Sequence, residues 1–194
     1  MERTNIAVFA SESGSNFQAL HEAIQCGELN ARIALVVTDK PHAFVVQRAD
    51  KAGIPVLAIS PKDYPTKAEY EAFITTELKR HEVEWIVLAG YMRLIGPTLL
   101  SEFKGQILNI HPSLLPAFPG KDAIGQALSH GVKVTGVTVH YVDEGMDTGP
   151  IIAQQAVEVI EGDRELTEKA IHEAEHTLYK NTLNKLFSKS LAKR

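Results

Sequence analysis

The 194-residue chain holds a single cysteine, Cys26, which excludes an intramolecular disulfide framework and fits a reducing compartment. No apolar run approaches the ~20 residues that a membrane-crossing helix needs. The opening residues, Met1-Glu2-Arg3-Thr4-Asn5, enter a short strand-like segment and lack the long apolar region of a signal peptide. Internal repeats, low-complexity tracts and Gly/Ser linkers are missing as well. Nor is there a basic excess. Lys and Arg number 20 against 24 Asp and Glu, a formal net charge of −4, which argues against broad nucleic-acid binding. What is present, 44% hydrophobic and 23% charged residues, is ordinary for a globular chain. The length suits one domain with a core that needs no staples. The expectation is a cytoplasmic protein with one domain over residues 1–188, a frayed basic tail over 189–194, and no membrane or nucleic-acid partner.

Strand and helix signals alternate along the chain. Short apolar runs at 5–10, 33–37, 55–59, 85–89 and 106–110 read as buried strands. Between them lie helix signals. Ser15 and Gln18 have the capping-box form, and a helix around 43–52 is stopped by Gly53. Thr66 and Glu69 form a second box before the stripe Tyr70, Phe73, Ile74 and Leu78, and a short helix begins near Pro97. The last third breaks this rhythm. Residues 134–142 alternate, with Thr135, Val137, Val139 and Tyr141 on one face and Gly136, Thr138 and His140 on the other. A second long strand, 151–159, follows without a helix, and a closing helix starts near Arg164. The pattern predicts an α/β, Rossmann-like open sheet, mostly parallel with antiparallel C-terminal strands and helices on both faces. In such sheets the site lies beyond the strand C-termini.

Four strand-end segments are therefore candidates. Ser13-Gly14-Ser15-Asn16 could aim backbone N–H groups at a phosphate, or be an ordinary tight turn. Gly90-Tyr91-Met92-Arg93-Leu94-Ile95-Gly96 could line a flat heteroaromatic pocket, or be a buried connection with one arginine. Asn109 and His111 are two apart on a strand and project together, an amide beside an imidazole that suits acyl-type chemistry. Asp143-Glu144-Gly145-Met146-Asp147 puts three carboxylates on a loop that could fold back on His111. His172-Glu173-Ala174-Glu175-His176 matches H-E-x-x-H. A zinc site needs a third ligand, and no His, Asp or Glu follows Lys180, so this match reads as coincidental.

The segment Asn109-Ile110-His111-Pro112-Ser113-Leu114-Leu115-Pro116, followed by Gly136-x-Thr138-x-His140 and Asp147-x-Gly149-Pro150-Ile151-Ile152-x-Gln154, resembles the signature of the folate-dependent formyltransferases. With Gly14-Ser15-Asn16-Phe17-Gln18 near the start, the chain from about Asn5 to Tyr179 is similar to those members that formylate glycinamide ribonucleotide in purine synthesis. The resemblance implies Asn109, His111 and Asp147 as catalytic residues. It implies 10-formyltetrahydrofolate as formyl donor, bound by Met92, Arg93, Leu94, Ile95 and Asn109. Lys67 would lie nearby, and Asp143 and Glu144 would belong to the loop around the pterin ring. Gly14, Ser15, Asn16, Pro112 and Glu175 would bind the small-molecule acceptor. No metal is implied, and the assembly would be a monomer or homodimer. Relatives acting on transfer RNA or hydrolysing the donor carry an additional domain, which this chain is expected to lack. A non-catalytic nucleotide-binding module is the alternative class, disfavoured by the presence of Asn109, His111 and Asp147 together. One departure stands out: Glu12 occupies the place of the first glycine in the Gly-x-Gly-Ser-Asn loop common to these relatives. A carboxylate there could repel a phosphate and resist positive φ.

Overall fold

The computed structural model describes residues 3–192. Seven strands, β1 (Thr4–Phe9), β2 (Ala31–Thr38), β3 (Val56–Ala58), β4 (Trp85–Leu88), β5 (Ile107–His111), β6 (Val134–Tyr141) and β7 (Ile151–Glu158), form one sheet in the order β3-β2-β1-β4-β5-β6-β7. β3 through β5 pair in parallel, and β6 and β7 pair antiparallel. Six α-helices accompany them: α1 (Ser15–Gln25), α2 (Phe44–Lys51), α3 (Lys67–Arg80), α4 (Pro97–Glu102), α5 (Ala123–His130) and α6 (Arg164–Leu191).

Strand alternation divides the core into two layers. Ile6, Val8 and Ala10 of the first strand segment meet Phe17 and Leu20 of α1, Val45 of α2, and Ile171 and Tyr179 of α6. Ala7 and Phe9 face the opposite way, onto Tyr70, Ile74 and Leu78 of α3 and Leu99 of α4. Both faces of the parallel strands are thus covered, which explains their near-continuous apolar sequences. In β6, Val137 and Val139 join the α1/α6 layer, so Thr138 and His140 turn to the other face, as the alternation predicts. β7 is an edge strand with much of its length exposed.

Three local readings change. The helix expected to be capped by Ser15 starts instead from Gly14, in the left-handed region at φ 73°, and no side chain caps it. Gln18 bonds Glu22 on the next turn rather than reaching back. By contrast, Thr66 accepts from the Glu69 N–H at 3.2 Å, as a capping box should. α5 has no counterpart in the sequence reading, which treats the stretch between β5 and β6 as connection. It is short, capped by the Asp122 side chain and ended by Gly131 in the left-handed region. Finally, α6 runs through Lys189 and Ser190 to Leu191, where a frayed tail is expected; Lys193 and Arg194 lie outside the described residues.

Candidate active site

A cleft of about 590 Å³ opens at the C-terminal ends of β1, β4 and β5, the place where open parallel sheets gather their ligands. Its walls include Gly14, Ser15, Asn16, the whole of 88–95, Asn109, His111, Pro112, Asp147 and Glu175. The first, fourth and fifth strand ends and the loop before β7 therefore meet in one place. Asp143 and Glu144 are not among the lining residues. The Asp143 carboxylate instead folds onto its own loop, accepting from the Gly145 N–H at 3.0 Å and the Thr148 hydroxyl at 2.6 Å. Lys67 lines an adjoining recess with Tyr64, Tyr70, Glu71 and residues 91–94, where its ammonium donates to the Leu94 carbonyl at 2.7 Å.

The centre of the cleft is set by strand register. Asn109 of β5 pairs with His140 of β6, and His111 pairs with Thr138. His140 Nδ1 lies 2.8 Å from the Tyr141 carbonyl, which can only accept, so that nitrogen carries the proton. Nε2 of the neutral ring is then an acceptor, and it receives the Asn109 amide at 3.3 Å. One amide hydrogen of Asn109 is used in this way and the other remains for a ligand oxygen. His140 thus fixes which end of the amide is donor. Sequence reasoning assigns it no role, although its place two residues after Thr138 in the signature marks it.

The same logic assigns His111. Its Nε2 lies 2.9 Å from the Phe118 carbonyl and must donate. Proton exchange is left to Nδ1, which faces Asp147 Oδ2 at 3.5 Å. Phe118 is held in place by the proline-rich exit of β5. There Thr138 Oγ1 donates to the Ser113 carbonyl at 2.7 Å and accepts from the Leu115 N–H at 3.0 Å. The Gln154 amide spans Leu115 and Thr138 from β7. Ser113, Thr138 and Gln154, all part of the signature, therefore build the frame around His111 and do not enter the cleft. Asp147 takes φ 56°, an uncommon conformation for a non-glycine residue. Its Oδ2 accepts from the Gly120 N–H at 2.8 Å, and its Oδ1 lies 3.9 Å from His140. Gly149 lets the loop close, because a Cβ there would run into the Tyr141 carbonyl.

At the other wall, α1 presents its N-terminus. Gly14 needs its positive φ, and a Cβ would sit 2.6 Å from Val45. Asn16 is 9% exposed and its Oδ1 has no hydrogen-bond partner, so the site offers an acceptor as well as helix N–H donors. Glu12 is absent from the described residues with positive φ, and its carboxylate bonds Lys40 at 3.0 Å. Backbone strain at Glu12 is thereby excluded. One turn on from Glu175, the Tyr179 hydroxyl donates to the carbonyl of Leu88, the last residue of β4, and is shared with that of Leu108 inside β5, which ties this part of α6 to the sheet. The Glu175 carboxylate is 2.7 Å from His172 Nδ1, and this hydrogen bond raises the His172 pKa. Burial lowers that of His176, whose Nε2 has no partner. Among the described residues no three His, Cys, Asp or Glu form a group that could hold a metal ion; of the H-E-x-x-H match, His172 and Glu175 line the cleft.

An amide donor, an imidazole with a carboxylate beside it, and a helix N-terminus meet in one cleft, a set suited to acyl-type chemistry. A family model described as formyl transferase matches residues 4–183, and the chain belongs to the formyl transferase family. It is 56% identical over 181 residues, 93% of each chain, to the phosphoribosylglycinamide formyltransferase of Bacillus subtilis strain 168. Among solved structures it is similar to glycinamide ribonucleotide transformylase 1 from Geobacillus kaustophilus, with 59% identity and a TM-score of 0.92. That match covers 95% of this chain and 99% of the other. The phosphoribosylglycinamide formyltransferase of Bacillus halodurans superposes with a TM-score of 0.93 at 54% identity, covering 96% of this chain and 97% of the other.

Proposed function

We propose that this formyl transferase moves the formyl group of 10-formyltetrahydrofolate to the amine of glycinamide ribonucleotide. The observation that carries the reading is the Asn109–His140 register pair with His111 and Asp147 beside it, in the cleft that α1 enters by its N-terminus. The phosphate of the acceptor sits at Gly14, Ser15 and Asn16, where N–H groups and the helix dipole favour an anion. Glu175 and Pro112 line the path of the acceptor, with Glu175 taking its hydrogen-bond donors. The donor lies along Met92, Arg93, Leu94 and Ile95, its pterin toward Asn109 and the loop that ends in Asp147, its tail toward the recess of Lys67.

The acceptor amine attacks the formyl carbon, and the carbonyl oxygen becomes an oxyanion in the tetrahedral intermediate. The free N–H of Asn109 and the protonated ring of His111 stabilise that charge. Asp147 faces the ring nitrogen and supports its charged form. The bond from carbon to the folate nitrogen N10 then breaks, while the proton lost by the amine passes to N10. Carbon changes partners and no electrons are exchanged, so the site needs no redox group. The test is a purified-protein assay with 10-formyltetrahydrofolate and glycinamide ribonucleotide, set against water alone and a sugar-nucleotide amine. Formyl transfer to the ribonucleotide alone is expected; release to water or preference for the sugar nucleotide would replace the acceptor assignment.

A further inference from the structure

Asp39, the residue after β2, is buried at 5% exposure and does not itself line the cleft. A buried carboxylate is costly unless its oxygens are bonded and its charge is paired. Both conditions are met here, and both partners lead to the same place. Oδ2 accepts from Arg93 Nε at 2.7 Å. Oδ1 accepts from the Ser11 hydroxyl at 2.6 Å, and Ser11 Oγ in turn accepts from the Met92 N–H at 2.9 Å. Two consecutive residues of the segment 90–96 are thus anchored on one carboxylate. Apolar burial holds the segment at Tyr91 and Ile95 but not at Met92 and Leu94, which are about half exposed. On the far side, Lys67 bonds the Leu94 carbonyl and Glu71 accepts from the Gly96 N–H at 2.7 Å. Those two are on α3; on this side the Ser11 N–H also donates to the Gly90 carbonyl at 3.0 Å, so Ser11 and Asp39 together tie the segment to the strand end from which the Gly14 loop departs.

We propose that Asp39 is a positioning residue for the formyl donor, acting through Arg93 and Ser11 on the segment 92–95. This rests on the reading that 92–95 takes the donor. Arg93 lines both the main cleft and the adjoining recess, so losing its anchor frees a cation at the junction of the two. Donor binding suffers, while the distant Asn109–His140 and His111–Asp147 contacts, held by β5 and β6, are untouched.

The test is steady-state kinetics of Asp39→Ala, Asp39→Asn and Ser11→Ala with each substrate varied, alongside calorimetric binding of tetrahydrofolate and thermal melting. Charge-assisted hydrogen bonds of this kind lead us to expect about a tenfold rise in donor KM for Asp39→Ala. Acceptor KM and kcat should stay within about twofold, the pattern of lost uniform binding. Asp39→Asn keeps one acceptor oxygen and should fall between wild type and alanine. Ser11→Ala should raise the same KM by less. Tetrahydrofolate binding should weaken in parallel. An equal rise in both KM values, a fall in kcat alone, or a lowered melting temperature with unchanged KM values would overturn the proposal. If Asp39→Ala fails to fold, normal donor KM values for Asp39→Asn and Ser11→Ala would overturn it too. A wild type without transfer activity would remove the functional reading itself, whereas an active wild type with unmoved variants removes only Asp39.

Discussion

The two halves of the sheet position their residues by different means. In the parallel half, β1 and β4 deliver loops, Gly14 to Asn16 and Met92 to Ile95, whose backbone geometry does the positioning; the second is tethered from Ser11 and Asp39 through the Met92 N–H and the Arg93 side chain. In the antiparallel half, β5 and β6 deliver side chains directly, and their pairing sets Asn109 against His140. A parallel strand ends in a crossover and can offer only its tip; an antiparallel neighbour lays its whole face beside the first strand. Under the proposed function, binding falls to loops that a turn can tune, and chemistry to a ladder that cannot drift by one residue without turning its side chains to the other face.

The largest effect should come from the ladder and from Asp147 in the loop that follows β6. Asn109→Ala, His111→Ala and Asp147→Ala should each lower kcat by about a hundredfold or more, the usual cost of losing an oxyanion donor or proton carrier. Acceptor KM should change little. Near-normal turnover in any of them would break the division of labour. Next comes the loop half. Gly14→Ala forces a Cβ against Val45 and keeps a strained φ, and should cost about 1–3 kcal/mol of stability. Its activity loss should appear in acceptor KM rather than in kcat. Adding Val45→Ala should return the space but not the backbone freedom, and kinetics with both variants would separate the two.

A smaller effect is expected from pH. Its hydrogen bond to Glu175 raises the His172 pKa above 6.5, so the native state binds more protons than the unfolded one between 6.5 and the raised value. The stability this pair contributes is complete below about 6.5 and is lost as pH rises through the raised value. His172→Gln should flatten that slope in melting curves taken across neutral pH, and an unchanged slope would place its origin elsewhere. The effect is modest because the His172 side chain is half exposed. His176, shifted downward by burial, contributes the opposite slope, with stability lost as pH falls through its lowered value. Smallest of all is Glu12→Gly. With its carboxylate on Lys40 and an ordinary backbone, acceptor KM should move by less than about twofold, and salt should not separate the variants, since exposed charges are already screened. A several-fold, salt-sensitive gain would show that the carboxylate faces the phosphate.

The sequence makes the strands legible because each buried one is a bare apolar run and β6 alternates plainly. It shows the site segments because they follow those runs. α5 escapes because Ala123–His130 is short and follows three prolines, although Asp122 before it and Gly131 after it are start and stop signals. Gly14 as cap escapes because Ser15 and Gln18 fit a box equally well on paper, and only the close approach of Val45 decides between them. His140 escapes for a different reason. Its task, presenting Nε2 to an amide, depends on which residue of another strand stands opposite, and pairing register is a long-range property. Asp143 and Glu144 share this difficulty: an acidic loop can turn its carboxylates inward or onto itself, and here the Asp143 carboxylate accepts from the Gly145 N–H and the Thr148 hydroxyl of its own loop.

The pairing of β5 with β6 also draws the centre of the cleft from two pieces of chain. Asn109 and His111 precede the exposed turn at 131–133, and His140 and Asp147 follow it. Neither piece holds all four side chains, so a cut in that turn would leave them together only where the ladder stays closed in register.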